Sequence, residues 1–170
     1  IRKLFSAAPA ALERRYTAGT FSFNSGNGRC PACSGNGFEH IEMQFLSDVY
    51  LRCPDCDGRR YRPEVLEVKL EPTAGLGAGG SGLAARGKSV ADVLDMTVSE
   101  AANFFSDQPQ VQRALKPLAD VGLEYLRLGQ PVPTLSGGEA QRLKLAGHLV
   151  EAGSTRKGTR GKLFLFDEPT

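Results

Sequence analysis

All four cysteines of this chain fall in two Cys-x-x-Cys pairs, Cys30-Pro31-Ala32-Cys33 and Cys53-Pro54-Asp55-Cys56, with 19 residues between the pairs. A Cys-x-x-Cys turn sets two thiolates on one side of a tight knuckle. Two knuckles complete a tetrahedral four-sulfur site with no open position, the pattern of a structural zinc centre. Gly35, Gly37 and Gly58 follow the knuckles, where the backbone must turn sharply and its amides can point at sulfur. Disulfides are the alternative in an oxidising compartment, and a redox pair would need one motif rather than two.

Between the pairs, Phe38, His40, Glu42 and Gln44 alternate with Glu39, Ile41, Met43 and Phe45, and Val49-Tyr50-Leu51 resumes the alternation after Ser47-Asp48. This period of two predicts a hairpin growing out of the metal site. His40 is expected to be a surface strand residue, because four thiolates already satisfy the metal. Around the second knuckle stand Arg52, Arg59, Arg60, Tyr61 and Arg62. These four arginines could track a nucleic-acid phosphate backbone without reading sequence, or form an ordinary solvated face.

A second signal lies downstream. In Leu135-Ser136-Gly137-Gly138-Glu139-Ala140-Gln141-Arg142, Ser136 and Glu139 have the spacing of a capping box. The two glycines let amides approach an anion at the positive end of the helix. Leu143, Ala146, Leu149 and Val150 follow at helical spacing, which predicts one buried face. Lys162-Leu163-Phe164-Leu165-Phe166 reads as a buried strand that delivers Asp167 and Glu168 at its carboxyl end, where nucleotide sites of open α/β sheets lie. One carboxylate suits Mg²⁺ and the next suits a water to be activated. A lone Ser-Gly-Gly would be a turn and a lone Asp-Glu a solvated loop. In this order the pair resembles the signature and Walker B motifs of ATP-binding-cassette (ABC) ATPases, which sandwich ATP between two nucleotide-binding domains.

Such an ATPase also needs a phosphate loop, and Gly82-Leu83-Ala84-Ala85-Arg86-Gly87-Lys88-Ser89 matches its pattern. A working loop leaves a buried strand and enters a helix. Here the residues before it, from Pro72 through the glycines to Ser81, read as flexible coil, so the match is expected to be fortuitous. The true loop is then expected upstream of Ile1. The missing initiator methionine and the stop just after the carboxylates point the same way, so the chain is expected to be an excerpt that cannot hydrolyse ATP alone.

The two signals together resemble one family. Phe21-Ser22-Phe23-Asn24, Gly28-Arg29-Cys30-Pro31-Ala32-Cys33, the run Ile41 to Tyr50, Arg59-Arg60-Tyr61, the run Val93 to Val98 and the signature segment, taken in order, are similar to the second half of the UvrA family. That family supplies the damage-sensing ATPases of bacterial nucleotide excision repair. The resemblance spares only residues 71 to about 87. It implies zinc on Cys30, Cys33, Cys53 and Cys56. It implies contact of Ser136, Gly137, Gly138 and Glu139 with ATP, and Asp167 and Glu168 as the catalytic carboxylates. On the reading of the basic cluster given above, Arg52, Arg59, Arg60 and Arg62 are the candidate DNA contacts. The implied partners are damaged double-stranded DNA, a UvrB-like helicase and a second copy in a homodimer.

The long Gly-rich stretch, and Tyr16-Thr17-Ala18-Gly19-Thr20 without the expected Pro and Arg, suggest a divergent paralogue that could instead protect against DNA-binding drugs. A transporter ATPase would lack the knuckles. A DnaJ-type zinc module would repeat Cys-x-x-Cys-x-Gly-x-Gly, which fails at Arg60.

The expected fold is α+β: a helical signature domain carrying an inserted Cys₄ hairpin and ending in the Walker B strand. Its parts are a helical lead-in (1–29), the knuckle and hairpin (30–62), a strand with a Gly-rich linker (63–88), helices (89–134), and the signature helix with the last strand (135–170). Within the lead-in, Leu4, Phe5, Ala8 and Leu12 share a helical face that Pro9 splits. Thr97 to Glu100 forms a second capping box, opening a helix through Phe105, and Val111 to Leu118 suggests another. The basic loop from Ser154 to Lys162 reads as a solvated connector, with a DNA contact as the alternative. A hydrophobic share of 41% supports a core, and the net charge of +2 selects no partner. No run reaches membrane-spanning length, so a cytoplasmic location without membrane partners is expected.

Overall fold

The computed structural model describes residues 1–43, 49–71 and 87–154. It divides into two compact units, Ile1–Val93 and Leu94–Thr170.

In the first unit, α1 (Arg2–Ser6) and α2 (Pro9–Glu13) are separated at Ala8, which is extended at φ −66° and ψ 142°. A proline disfavours helical geometry in the residue before it, so the chain breaks where Pro9 predicts. The break also resets the phase of the buried face. Ala11 is fully buried beside Phe5, whereas Leu12 is 63% exposed, against the expectation that Leu12 would continue the Leu4–Phe5–Ala8 face. Phe5 stacks on Phe21 at 5.3 Å, and Tyr16 meets Phe21 edge-on. Tyr61, Val65 and Val68 complete this small core, with the Tyr61 hydroxyl donating to the Phe21 carbonyl at 3.0 Å. Arg14 joins α2 to α3 (Pro63–Leu66) by donating to the Glu64 carbonyl and pairing with the Glu67 carboxylate.

β1 (Phe38–Ile41) and β2 (Val49–Arg52) pair antiparallel, Phe38 opposite Arg52 and Ile41 opposite Val49, as the alternation predicts. Gln44 and Phe45, also placed in this alternation, lie outside the described residues, as does the Gly-rich stretch from 72 to 86. β3 (Lys69–Leu70) pairs antiparallel with β4 (Lys88–Ser89), and α4 (Val90–Asp95) follows. In the phosphate-loop pattern, Lys88 and Ser89 would open a helix with the hydroxyl turned to Mg²⁺. Instead both residues are paired as strand, and Ser89 is buried with its hydroxyl donating to the Asp92 carboxylate at 2.8 Å. That geometry suits a fortuitous match.

The second unit is helical: α5 (Val98–Phe104), α6 (Pro109–Asp120), a 3₁₀ turn at Val132–Thr134, and α7 (Gly137–Ser154). The capping box at α5 forms as expected: the Thr97 amide donates to the Glu100 carboxylate at 2.8 Å, and the Glu100 amide donates to the Thr97 hydroxyl at 3.1 Å. Val98, Ala101, Phe104, Phe105, Val111, Leu115, Leu123 and Leu126 are buried. Gln112 bridges α5 and α6 by donating to the Ala102 and Phe105 carbonyls. The segment 124–129 is a run of turns bonded to 94–99 through Ser99 to Glu124, Val98 to Leu126, Leu128 to Met96 and Gly129 to Leu94.

The α7 face differs from expectation. Ala146 is buried and Leu143 half-buried, but Leu149 and Val150 are 42% and 48% exposed. The strand expected at Leu163–Phe166 lies outside the described residues, and so do Asp167 and Glu168. Mixed helices with two small two-stranded sheets agree with the α+β expectation at that level. Among the described residues, no helix is long and apolar enough to cross a membrane.

Candidate functional site

The four cysteines converge. Their sulfurs all lie within 4.8 Å of one another, with Cys30 Sγ 4.0 Å from Cys53 Sγ and Cys33 Sγ 3.7 Å from Cys56 Sγ. Sulfurs about 2.3 Å from a tetrahedral zinc stand about 3.8 Å apart, so this cage fits the ion. The separations are far too long for disulfide bonds, which span about 2.05 Å, and all four thiols are free. All four are buried. Burial pushes the Cys56 thiol up to about 12 and raises Cys30, while on Cys33 the Gly37 and Gly35 amides outweigh burial and hold the thiol below its ordinary value. Four thiols crowded out of water are poorly satisfied by one another and well satisfied by a thiophilic dication.

The two knuckles are built alike. Positive φ recurs at matching offsets after each second cysteine: Ser34 and Asp57, then Gly35 and Gly58, then Gly37 and Arg60. The Asn36 amide donates to the Cys33 carbonyl at 2.9 Å, and the Arg59 amide to the Cys56 carbonyl at the same distance. Each knuckle also holds the other, since Cys30 N–H donates to Arg60 O at 2.8 Å and Cys53 N–H to Gly37 O at 3.1 Å. The Gly37 amide donates to Cys33 Sγ at 3.2 Å, and the Arg60 amide plays that part for Cys56. The backbone repeat therefore continues through Arg60, although the residue repeat stops there. Arg60 sits in the left-handed region that glycine favours, its guanidinium stacked 4.9 Å from the centre of the Phe23 ring.

His40 is exposed on the hairpin and stacks on Tyr50 at 4.9 Å, outside the sulfur cage as expected. Arg59 and Arg62 are exposed. Arg52 is exposed too, with its guanidinium 3.8 Å from the Asp57 carboxylate, a pairing worth little in water. Arg60 is half-buried against Phe23.

Of the signature segment, Ser136, Gly137, Gly138 and Glu139 are described. The Ser136 amide donates to Glu139 Oε2 at 2.8 Å, and the Glu139 amide donates to Ser136 Oγ at 3.3 Å, so the predicted capping box forms at the start of α7. Among the described residues, a Cβ added at Gly137 would meet nothing within 4 Å, so they leave the mouth of the helix uncovered. Sequence reading passed over Tyr125. Its hydroxyl donates to Glu139 Oε1 at 2.8 Å and accepts from Arg142 Nη2 at 3.3 Å, while Arg142 Nη1 donates to the Gly122 carbonyl at 3.2 Å. The hydrogen bond to the Ser136 amide and then that from Tyr125 hold the Glu139 carboxyl below the usual carboxylate range. The only sequence signal for this contact was an aromatic residue in an otherwise ordinary connecting loop.

No family model matches the chain. UvrABC system protein A from Thermus thermophilus is 52% identical over 170 residues, the whole of this chain and 16% of that protein. The corresponding protein from Methanothermobacter thermautotrophicus is 50% identical and that from Escherichia coli (strain K12) 46%, with the same coverage. Among solved structures, the crystal structure of UvrA2 from Deinococcus radiodurans matches with a TM-score of 0.75 and 51% identity, over 89% of this chain and 17% of that one. The chain thus spans 16% of the length of these curated relatives. Matched over all 170 residues at 46–52% identity, the chain belongs to the UvrA family.

Proposed function

We propose that this chain is the zinc-stapled signature segment of an ATP-dependent subunit that recognises DNA damage in nucleotide excision repair. One observation carries the reading: two chemically unrelated features, a four-thiol cage and an open, boxed helix start, occur in one chain that aligns from end to end with UvrABC system protein A. In this reading Cys30, Cys33, Cys53 and Cys56 hold zinc, which supplies a structural cross-link at the base of the hairpin. Ser136, Gly137 and Gly138 contact the γ-phosphate of ATP held by an opposing phosphate loop, Glu139 belongs to the same nucleotide site, and two copies work as a homodimer. Asp167 serves Mg²⁺ and Glu168 the attacking water. Arg52, Arg59, Arg60 and Arg62 bind the phosphates of duplex DNA, and a UvrB-like helicase is loaded afterwards in the cytoplasm.

The test uses the complete protein. Glu168→Gln is expected to bind ATP yet stop its turnover, and the wild type with ATP to prefer damaged over undamaged duplex. Unchanged turnover removes Glu168 from the chemistry, and equal affinity for both duplexes removes damage recognition. The long Gly-rich stretch and Tyr16-Thr17-Ala18-Gly19-Thr20 favour a second reading, a paralogue that protects against DNA-binding drugs. A deletion strain sensitised to such drugs but not to ultraviolet light would favour it.

A further inference from the structure

We propose that Tyr125 is a positioning residue for ATP turnover, holding the Glu139 carboxylate off the phosphate-facing mouth of α7. This rests on the signature reading above. A carboxylate in the first turn of a helix that receives a triphosphate is a liability, because like charges a few ångströms apart repel. In this chain that carboxylate is Glu139. Its two oxygens are committed elsewhere: Oε2 to the Ser136 amide and Oε1 to the Tyr125 hydroxyl. Arg142 bonds the same phenol and brings a compensating positive charge.

The support behind Tyr125 is fixed. Its neighbours Glu124, Leu126 and Leu128 exchange backbone hydrogen bonds with Ser99, Val98 and Met96, and Leu123 and Leu126 are buried. Arg142 ties the same turn to α7 through the Gly122 carbonyl. A loop distant in sequence thereby sets the direction of a charge at the nucleotide mouth, where no described residue would meet a Cβ on Gly137.

The experiment measures steady-state ATP hydrolysis by the complete protein as wild type, Tyr125→Phe, Glu139→Gln and the double variant. Tyr125→Phe removes one hydroxyl from a side chain that is 51% exposed, so folding is preserved. It is expected to lower kcat/KM about three- to tenfold when Glu139 is present, and to do almost nothing when residue 139 is neutral. A purely structural role for Tyr125 would cost the same in both backgrounds, and that result overturns the proposal. Unchanged kcat/KM in the single variant overturns it as well. An inactive Glu139→Gln protein would mean that the charge itself is needed, with the same consequence. Absence of turnover in the wild type would instead defeat the signature reading on which the proposal rests.

Discussion

Gly35 and Gly58 occupy equivalent places in the two knuckles, and their substitution separates backbone strain from steric clash. Both are left-handed, at φ +88° and +76°. An alanine at either place bears the cost of an L-residue in that region, about 1–2 kcal/mol. Their surroundings differ. A Cβ at Gly58 would find its nearest atom, Gly37 O, at 3.7 Å, an ordinary contact, whereas a Cβ at Gly35 would lie 2.0 Å from Phe23 O. That carbonyl belongs to the backbone and must move by more than an ångström, an overpacking cost of about 1–3 kcal/mol with this approach at the upper end. Where zinc binding and knuckle formation are coupled, as the proposed site implies, these costs appear in zinc affinity, tenfold for each 1.4 kcal/mol or so. Gly58→Ala should therefore weaken zinc binding about five- to thirtyfold, and Gly35→Ala about a further thirty- to hundredfold. Competition against a chromophoric chelator in the complete protein reads both. Equal losses, or a larger loss for Gly58→Ala, would refute the steric argument.

Tyr61 is buried, and burial raises its hydroxyl from the ordinary 10.0 to about 12. The folded state thus favours the neutral phenol, so its contribution is complete below pH 10 and disappears as pH rises towards 12, about 2–3 kcal/mol in all. Alkaline unfolding followed by circular dichroism should show this loss in the wild type and not in Tyr61→Phe, which at neutral pH costs about 1 kcal/mol for the Phe21 carbonyl left without its donor. Identical alkaline profiles would contradict this. Removing the cap with Thr97→Ala should weaken the start of α5 by about 1 kcal/mol, seen as roughly fivefold faster amide exchange at Glu100. Unchanged exchange there would dismiss the box as a stabilising element.

Features set by neighbours in sequence were legible before any coordinates. The cysteine spacing implied the cage, both Ser/Thr-x-x-Glu segments formed their boxes, and Pro9 broke its helix where expected. Contacts between distant residues outside the cage and its hairpin were not legible. Leu12 and Ala11 exchanged places because a break shifts helical phase by an amount that periodicity cannot supply. Leu149 and Val150 satisfied a pattern whose covering partner the pattern does not name. Arg60 looked like the end of a repeat because composition records residue type, whereas the backbone repeats in φ and the Phe23 stack accompanies a left-handed arginine. Tyr125 reaches Glu139 across 14 positions, beyond any local motif.

The pairing of Leu70 with Lys88 closes the base of the Gly-rich stretch from 72 to 86. Once two ends are clamped side by side, each doubling of the chain between them costs only about 0.6 kcal/mol in closure entropy. A change in the length of the chain between Leu70 and Lys88 should therefore cost little in the fold on either side of it. The clamp makes it a permissive place to graft a tag or a reporter without disturbing the sulfur cage.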